Sequence, residues 1–212
     1  NKSINTPVNK YTNTLKKEVS IKNKNYVGEI SKSVFVTYWS LISNSNLNIY
    51  DRMIYFGIKG DENGIDTDDI GYKNLENFNS LNFGEPRKYL TVRMTDAVKN
   101  LKIIDESIEI SKQYGFSGIV LDLEISALFG DEIIDQINSF SNSFYKKSKE
   151  NNIKYSIAIY GDAFYRKRPY DLSNLAKNSD EIMIMAYDFH KSIGEPGPNF
   201  PLNNADIYGY DM

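Results

Sequence analysis

The feature that most constrains the fold begins at Val34, where short apolar runs of strand length start to alternate with longer segments in which apolar residues recur at helical period. Repeats of this kind are βα units, which bury a parallel sheet beneath helices and argue against a β-sandwich. Residues 34–38, 53–58, 89–94, 118–123, 154–160 and 181–187 are read as strands. The clearest helix is expected over 96–114, with Thr95 or Asp96 as its cap, Val98, Leu101, Ile104 and Ile108 on one stripe, and Gly115 at a left-handed exit. A second is expected over 131–150, with Ile133, Ile137, Phe140 and Phe144 on one face, acids in its first turn and Lys146, Lys147 and Lys149 in its last. A shorter helix should follow Asp171 through Leu175.

Two parallel architectures keep polar residues at the C-terminal ends of their strands, the doubly wound sheet and the (β/α)8 barrel. The glycine-rich phosphate fingerprints GxGxxG and GxxxxGK[ST] are absent, which favours the barrel. A complete barrel usually takes about 250 residues. Only six βα units can be counted in 212 residues, so the expectation is an α/β (β/α)8 TIM barrel, incomplete in this chain and read as a fragment of a longer protein. Residues 1–30 are rich in Asn, Lys, Ser and Thr and are read as a polar leader or linker, with 31–212 as the partial barrel.

Composition removes several classes of chemistry. A net charge of -3 with interspersed signs offers no basic stripe for a phosphate backbone, so nucleic acid is not the expected partner. No run of about 18 apolar residues is present, so no membrane-spanning helix is expected. With no cysteine there is neither a disulfide nor a thiol nucleophile, and the single His190 argues against multi-histidine metal sites and a Ser-His-Asp triad. The 16 Tyr and 11 Phe supply flat faces that pack in cores and equally well against sugar rings.

The chemistry concentrates in FSGIVLDLE, residues 116–124. Strand alternation puts Gly118, Val120, Asp122 and Glu124 on one face and Ile119, Leu121 and Leu123 on the other. If the apolar set faces the helices, Asp122 and Glu124 point into the barrel mouth, about 7 Å apart by strand geometry. Two carboxyls this close keep one proton between them near neutral pH, as a general acid with an electrostatic helper requires. Spacing alone leaves open a DxE pair on a solvated strand end.

FSGIVLDLE resembles the DGxDxDxE signature of glycoside hydrolase family 18, and MAYD at 185–188 is similar to that family's MxYD at the end of the sixth strand. The two motifs lie about 60 residues apart in the expected order, followed by FHKSIGEPGPNFPL, which resembles the Gly-Pro-x-x-Pro-Leu loop of members that include a branch acting on spore and cell-wall glycans. The resemblance covers residues 34–202. It implies hydrolysis of β-1,4 bonds in an N-acetylglucosamine-containing glycan, chitin or peptidoglycan or an N-glycan core, by substrate-assisted retention. Under it Glu124 protonates the glycosidic oxygen and later activates water, Asp122 orients the 2-acetamido N–H, and Tyr187 donates to the acetamido carbonyl. Asp188 and Met185 would line the sugar site, and Tyr38 or Trp39 would form a stacking floor. By the same resemblance neither a metal nor an organic cofactor is needed, and an extracellular or cell-envelope location is implied.

Ser117 and Val120 stand where the signature carries acids, Leu123 where many chitinases carry Trp, and TVRMT where the family's third strand ends in SxGG. Without a proton-sharing neighbour at Val120, Asp122 is expected to stay ionised. Alternation puts Thr91, Arg93 and Thr95 opposite Leu90, Val92 and Met94, so Arg93 is expected in the mouth beside Asp122, fixing it as an anion. Two rivals to the enzyme are a chitinase-like lectin that binds glycan without turnover and a scaffold whose motif matches are coincidental.

Overall fold

The computed structural model describes residues 31–41, 49–81, 84, 86–95, 101–125, 130–164 and 167–187. The strands are β1 (Ser33–Thr37), β2 (Arg52–Asp61), β3 (Gly64–Ile65), β4 (Arg87–Met94), β5 (Gly118–Leu123), β6 (Lys154–Tyr160) and β7 (Glu181–Met185). The helices are α1 (Ile70–Lys73), α2 (Leu75–Ser80), α3 (Lys102–Tyr114), α4 (Asp131–Glu150) and α5 (Leu172–Lys177). Six strands pair in parallel in the order β1-β2-β4-β5-β6-β7, and β3 forms a short antiparallel hairpin on β2. All six anticipated strands are therefore present, in sequential order, as an incomplete (β/α) barrel.

The sheet curls strongly. Arg52 on β2 reaches Glu181 on β7 with Nη1–Oε2 at 2.6 Å and Nη2–Oε1 at 3.0 Å, four strand steps away in the sheet. In a flat sheet those steps would separate the strands by about 19 Å, beyond the reach of the two side chains, so the pair requires the concave face to fold toward itself. Ser33 Oγ accepts from Arg52 Nε at 2.8 Å, and the guanidinium lies 4.8 Å from the Tyr89 ring centroid.

Alternation holds along each strand. Leu90, Val92, Met94, Ile119, Leu121, Leu123, Ile157 and Ile159 join the core under the helices, whereas Ile54, Tyr89, Val120 and Ala158 form a separate cluster on the concave face. A bulge between Phe56 and Ile58 shifts the parity of β2, which keeps Ile58 in the helix-side core and brings Lys59 into register with Arg93. Gly118 has no side chain because the Tyr89 ring fills that space: a Cβ there would lie 2.4 Å from it. Gly71 likewise lets α1 press against β2, where a Cβ would meet the Gly57 carbonyl oxygen at 1.8 Å.

The helix stripes are as expected in part. In α4, Ile137, Phe140 and Phe144 are buried, but Ile134 takes the place foreseen for Ile133, which is half-buried. Gly115 adopts φ 70° at the end of α3, the left-handed exit expected. Leu101 does not join the core stripe; it precedes the first turn of α3 and is exposed. Asp96 and Val98 lie outside the described residues. Asp171 caps α5, accepting from Asn174 N at 3.1 Å.

Candidate active site at the C-terminal mouth

Parallel register carries one row of side chains across the concave face: Arg93 pairs with Asp122, Asp122 with Ala158, and Ala158 with Met183. One layer deeper runs the row Thr91, Val120, Ser156, Glu181. Asp122 therefore rests on an apolar bed of Val120 and Ala158 just below the rim. It is 3% exposed, and its Oδ1 is buried with no hydrogen-bond partner among the described residues. Burial in that bed pushes its carboxyl up to about 7; the nearby Glu124 charge adds to the rise and Arg93 opposes it.

This corrects the expectation that Asp122 stays ionised in the absence of an acid at residue 120. Removing a proton-sharing neighbour also removed polarity, so desolvation of the carboxylate outweighs the missing repulsion. The expected partner of Arg93 also differs. Its Nε donates to Glu124 Oε2 at 2.7 Å and its Nη2 donates to the same oxygen, so the guanidinium grips Glu124 rather than Asp122. Glu124 follows the end of β5, with its backbone N–H donating to the Met94 carbonyl at 2.9 Å, and it remains partly accessible at the rim. Coming two residues beyond Asp122, it reaches the height at which the longer Arg93 side chain ends.

Beside the row lies a cavity of about 350 Å³ lined by Asp122, Ala158, Met183, Met185, Tyr187, Phe35, Thr37, Phe56 and Trp39. Its walls are apolar and aromatic, and Asp122 is the only ionisable carboxyl among these residues. Trp39 is exposed and stands edge-on to Phe56 at 6.2 Å and to Tyr38 at 4.7 Å. Of the two residues expected at the stacking floor, Trp39 therefore reaches the cavity, while Tyr38 packs against the core from the short 3₁₀ turn that ends β1. Met185 and Tyr187 both line the cavity, though β7 ends at Met185 and Tyr187 lies beyond it. Asp188, His190 and the Gly-Pro loop fall outside the described residues.

Several residues with a place at the site were not foreseen. Phe35, Thr37, Phe56 and Met183 line the cavity because they occupy concave-face positions, and the same parity count that located Asp122 would have found them on β1, β2 and β7. Tyr160 closes β6 two residues beyond Ala158, and burial with the charges of Glu124 and Asp122 raises its phenol. Arg168 lies 4.2 Å from its ring centroid and grips Asp162 through two contacts of 2.7 Å. Nothing in local sequence joins Tyr160, Asp162 and Arg168 to the DxE pair. Among the described residues no group of His, Cys, Asp or Glu is arranged to hold a metal, and no helix is long and apolar enough to cross a membrane.

Solved chitinases share this architecture. A Group IV chitinase from Ostrinia furnacalis, determined with allosamidin, aligns over 84% of this chain and 58% of its own at 18% identity and TM-score 0.67. An immunomodulatory active chitinase from Trichuris suis aligns over 83% and 56% at 17% identity and TM-score 0.65. A class V chitinase from Nicotiana tobaccum in complex with NAG4 aligns over 76% and 53% at 16% identity and TM-score 0.61. The chain thus spans between half and three-fifths of the length of these proteins. The model of glycosyl hydrolases family 18 matches residues 53–211, from the second strand of the curled sheet through both motif-bearing strands, and the chain belongs to that family.

Proposed function

We propose that the chain carries the catalytic half of a glycosidase that cleaves β-1,4 bonds next to N-acetylglucosamine by substrate-assisted retention. The observation that carries this reading is Asp122: a buried carboxyl, with Oδ1 lacking a partner among the described residues, set in the wall of an aromatic cavity beside Glu124. An acceptor left empty in an apolar wall is costly unless a ligand supplies the donor. The acetamido N–H of an N-acetylated sugar is such a donor. Trp39 and Tyr187 offer exposed aromatic surface for the sugar ring at the same opening.

In the first step Glu124 gives its proton to the glycosidic oxygen as the C1–O bond breaks, and the 2-acetamido carbonyl oxygen closes on C1 to give an oxazolinium cation. Asp122 accepts a hydrogen bond from the acetamido N–H and, in its carboxylate form, stabilises the cation by its negative charge. Tyr187 donates to the acetamido oxygen. In the second step Glu124, now a carboxylate, takes a proton from the water that attacks C1, which opens the ring with net retention. Asp188 is proposed at the neighbouring sugar. The substrate class is an N-acetylglucosamine polymer, chitin or a bacterial wall glycan, which places the working protein outside the cell or in its envelope.

A second reading, glycan binding without turnover, is favoured by Val120 in the concave apolar cluster where the family's signature carries an acid. Incubation with a chito-oligosaccharide, beside a Glu124→Gln variant, separates the two. Cleavage by the parent and its loss by about 10²–10⁴-fold in the variant is the expected outcome for a general acid. Equal binding by both with no cleavage by either establishes the lectin, and neither binding nor cleavage removes both readings.

A further inference from the structure

Glu124 is fixed through its backbone as well as through its side chain. The register of β5 with β6 runs from Gly118 opposite Lys154 to Asp122 opposite Ala158, and the peptide joining Leu123 to Glu124 comes just after it. The N–H of that peptide points to β4 and donates to the Met94 carbonyl at 2.9 Å. Its carbonyl points the other way, toward β6, since the two groups of a trans peptide lie on opposite sides of the chain. There the Leu123 oxygen accepts from the Tyr170 hydroxyl at 2.6 Å. The Tyr160 backbone hydrogen-bonds to the same hydroxyl, so one phenol oxygen stands between the C-terminal ends of β5 and β6.

Tyr170 brings this hydroxyl from 47 residues away, on the segment whose next residue, Asp171, caps α5. Tyr170 and Leu123 are both buried members of the core beneath the helices. A buried carbonyl needs a donor, and burial of the phenol keeps its proton in place to serve as one. The segment itself is fastened, because Arg168 grips Asp162 through two contacts of 2.7 Å and covers the Tyr160 ring at 4.2 Å. A phenylalanine at residue 170 would fill the core as well as the tyrosine ring does. Only the hydroxyl reaches the peptide that carries Glu124.

We propose that Tyr170 is a positioning residue: its hydroxyl on one side and the Met94 carbonyl on the other clamp the Leu123–Glu124 peptide, and so set the height and direction from which Glu124 reaches the glycosidic oxygen. The anchoring half of this inference stands on the distances above, and the catalytic half rests on the glycosidase reading. Proton transfer requires its heavy atoms within about 3 Å of each other, and a displacement of about 1 Å at the reacting group can cost about 100-fold in rate. A backbone released on one side at the strand end allows such a displacement.

Tyr170→Phe removes the oxygen and keeps the ring. Tyr155→Phe is the matched control, deleting a second buried phenol oxygen that lies 3.1 Å from Ser141 Oγ under α4, on the helix side of the sheet. Both variants are compared with the parent for kcat and KM on a chito-oligosaccharide, and for amide hydrogen exchange without substrate, at a temperature where circular dichroism shows all three folded. The expected result for Tyr170→Phe is a kcat about 10- to 100-fold lower with KM within about twofold of the parent. Its Glu124 amide should exchange about fivefold faster or more, relative to the Leu121 amide in the middle of β5. Tyr155→Phe should match the parent in kcat and in Glu124 exchange. Unchanged Glu124 exchange in Tyr170→Phe would overturn the anchoring half, and faster exchange with kcat intact would overturn the catalytic half. A raised KM at unchanged kcat would make Tyr170 a wall of the sugar site, and equal kcat losses in the two variants would reduce the effect to a loosened core; either overturns the positioning role. No cleavage by the parent would end the glycosidase reading and the catalytic half with it, while the exchange comparison still rules on the anchor.

Discussion

Among the described residues the concave face holds two Arg–Glu pairs, one at each end of the barrel, and they are built to opposite ends. At the closed bottom, Arg52 meets Glu181 with two nitrogens on two oxygens, Ser33 takes the third donor, Ser156 adds its hydroxyl to Glu181 at 3.3 Å, and the Tyr89 ring covers the guanidinium. At the open mouth, Arg93 spends two donors on one oxygen of Glu124, and the neighbouring Asp122 keeps a buried oxygen without a partner among the described residues. Saturated polar groups hold a structure in one arrangement, whereas unsaturated ones raise the energy of the empty state and favour a ligand that completes them. The titrations differ accordingly. The hydrogen bonds and charge of Arg52 hold Glu181 below its ordinary range, while burial pushes Asp122 up to about 7.

The largest expected separation between the two ends is in activity. Replacing Glu124 by Gln should abolish cleavage by several orders of magnitude yet move stability by less than about 1 kcal/mol, since the pair is partly exposed and screened. Thermal unfolding beside the activity assay checks this, and a comparable loss of both would erase the distinction between the ends. Replacing Arg52 by Met should do the reverse. It strands Glu181 beneath the sheet at a cost on the order of 2 kcal/mol, reduced from a fully buried pair because the Glu181 side chain is 40% exposed.

The same variant has a pH signature. Because Glu181 has a lowered value in the folded state, its contribution is present above its ordinary 4.5 and is lost as pH falls through the folded value. Melting temperatures of parent and Arg52→Met should therefore differ at neutral pH and converge in acid. For Asp122 the sign is opposite. A folded value near 7 against an ordinary 3.8 means the native state binds that proton more tightly, so stability falls as pH rises between about 4 and 7. Asp122→Asn should then melt higher than the parent at pH 8, by on the order of 1–2 kcal/mol, and no higher at pH 4. Smallest of all, Ser33→Ala removes the acceptor of Arg52 Nε and should cost about 0.5–1.5 kcal/mol in denaturant unfolding with no change in cleavage.

These contrasts also show how far sequence reasoning reaches. The six strands follow from short apolar runs set between segments of helical period, and the inward direction of Asp122 from period-2 alternation, because a strand's two faces meet different surroundings within a few residues. The bulge at Gly57, the hairpin that extends β2, and the short helices α1 and α2 carry no such periodic signal and were not anticipated. Arg52 and Glu181 lie 129 residues apart and become partners only through the curl of the sheet. Arg93 was placed on the correct face from its neighbours Val92 and Met94, but its choice of Glu124 over the adjacent Asp122 depends on side-chain length and rim height. Asp122 was expected to be ionised from residue types alone; the depth of its apolar bed, which reverses that, exists only in the folded sheet. Between Tyr38 and Trp39 the sequence left the stacking floor open, and it is the turn just beyond β1 that sets Trp39 outward at the cavity.

The most direct test of the account is the anomeric form of the product released first, followed by proton NMR within the first minutes of cleaving a chito-oligosaccharide. Attack by the sugar's own acetamido oxygen, steadied by Asp122, predicts that the β-anomer appears first and relaxes to the equilibrium mixture. Initial release of the α-anomer, or no new reducing end at all, would contradict it.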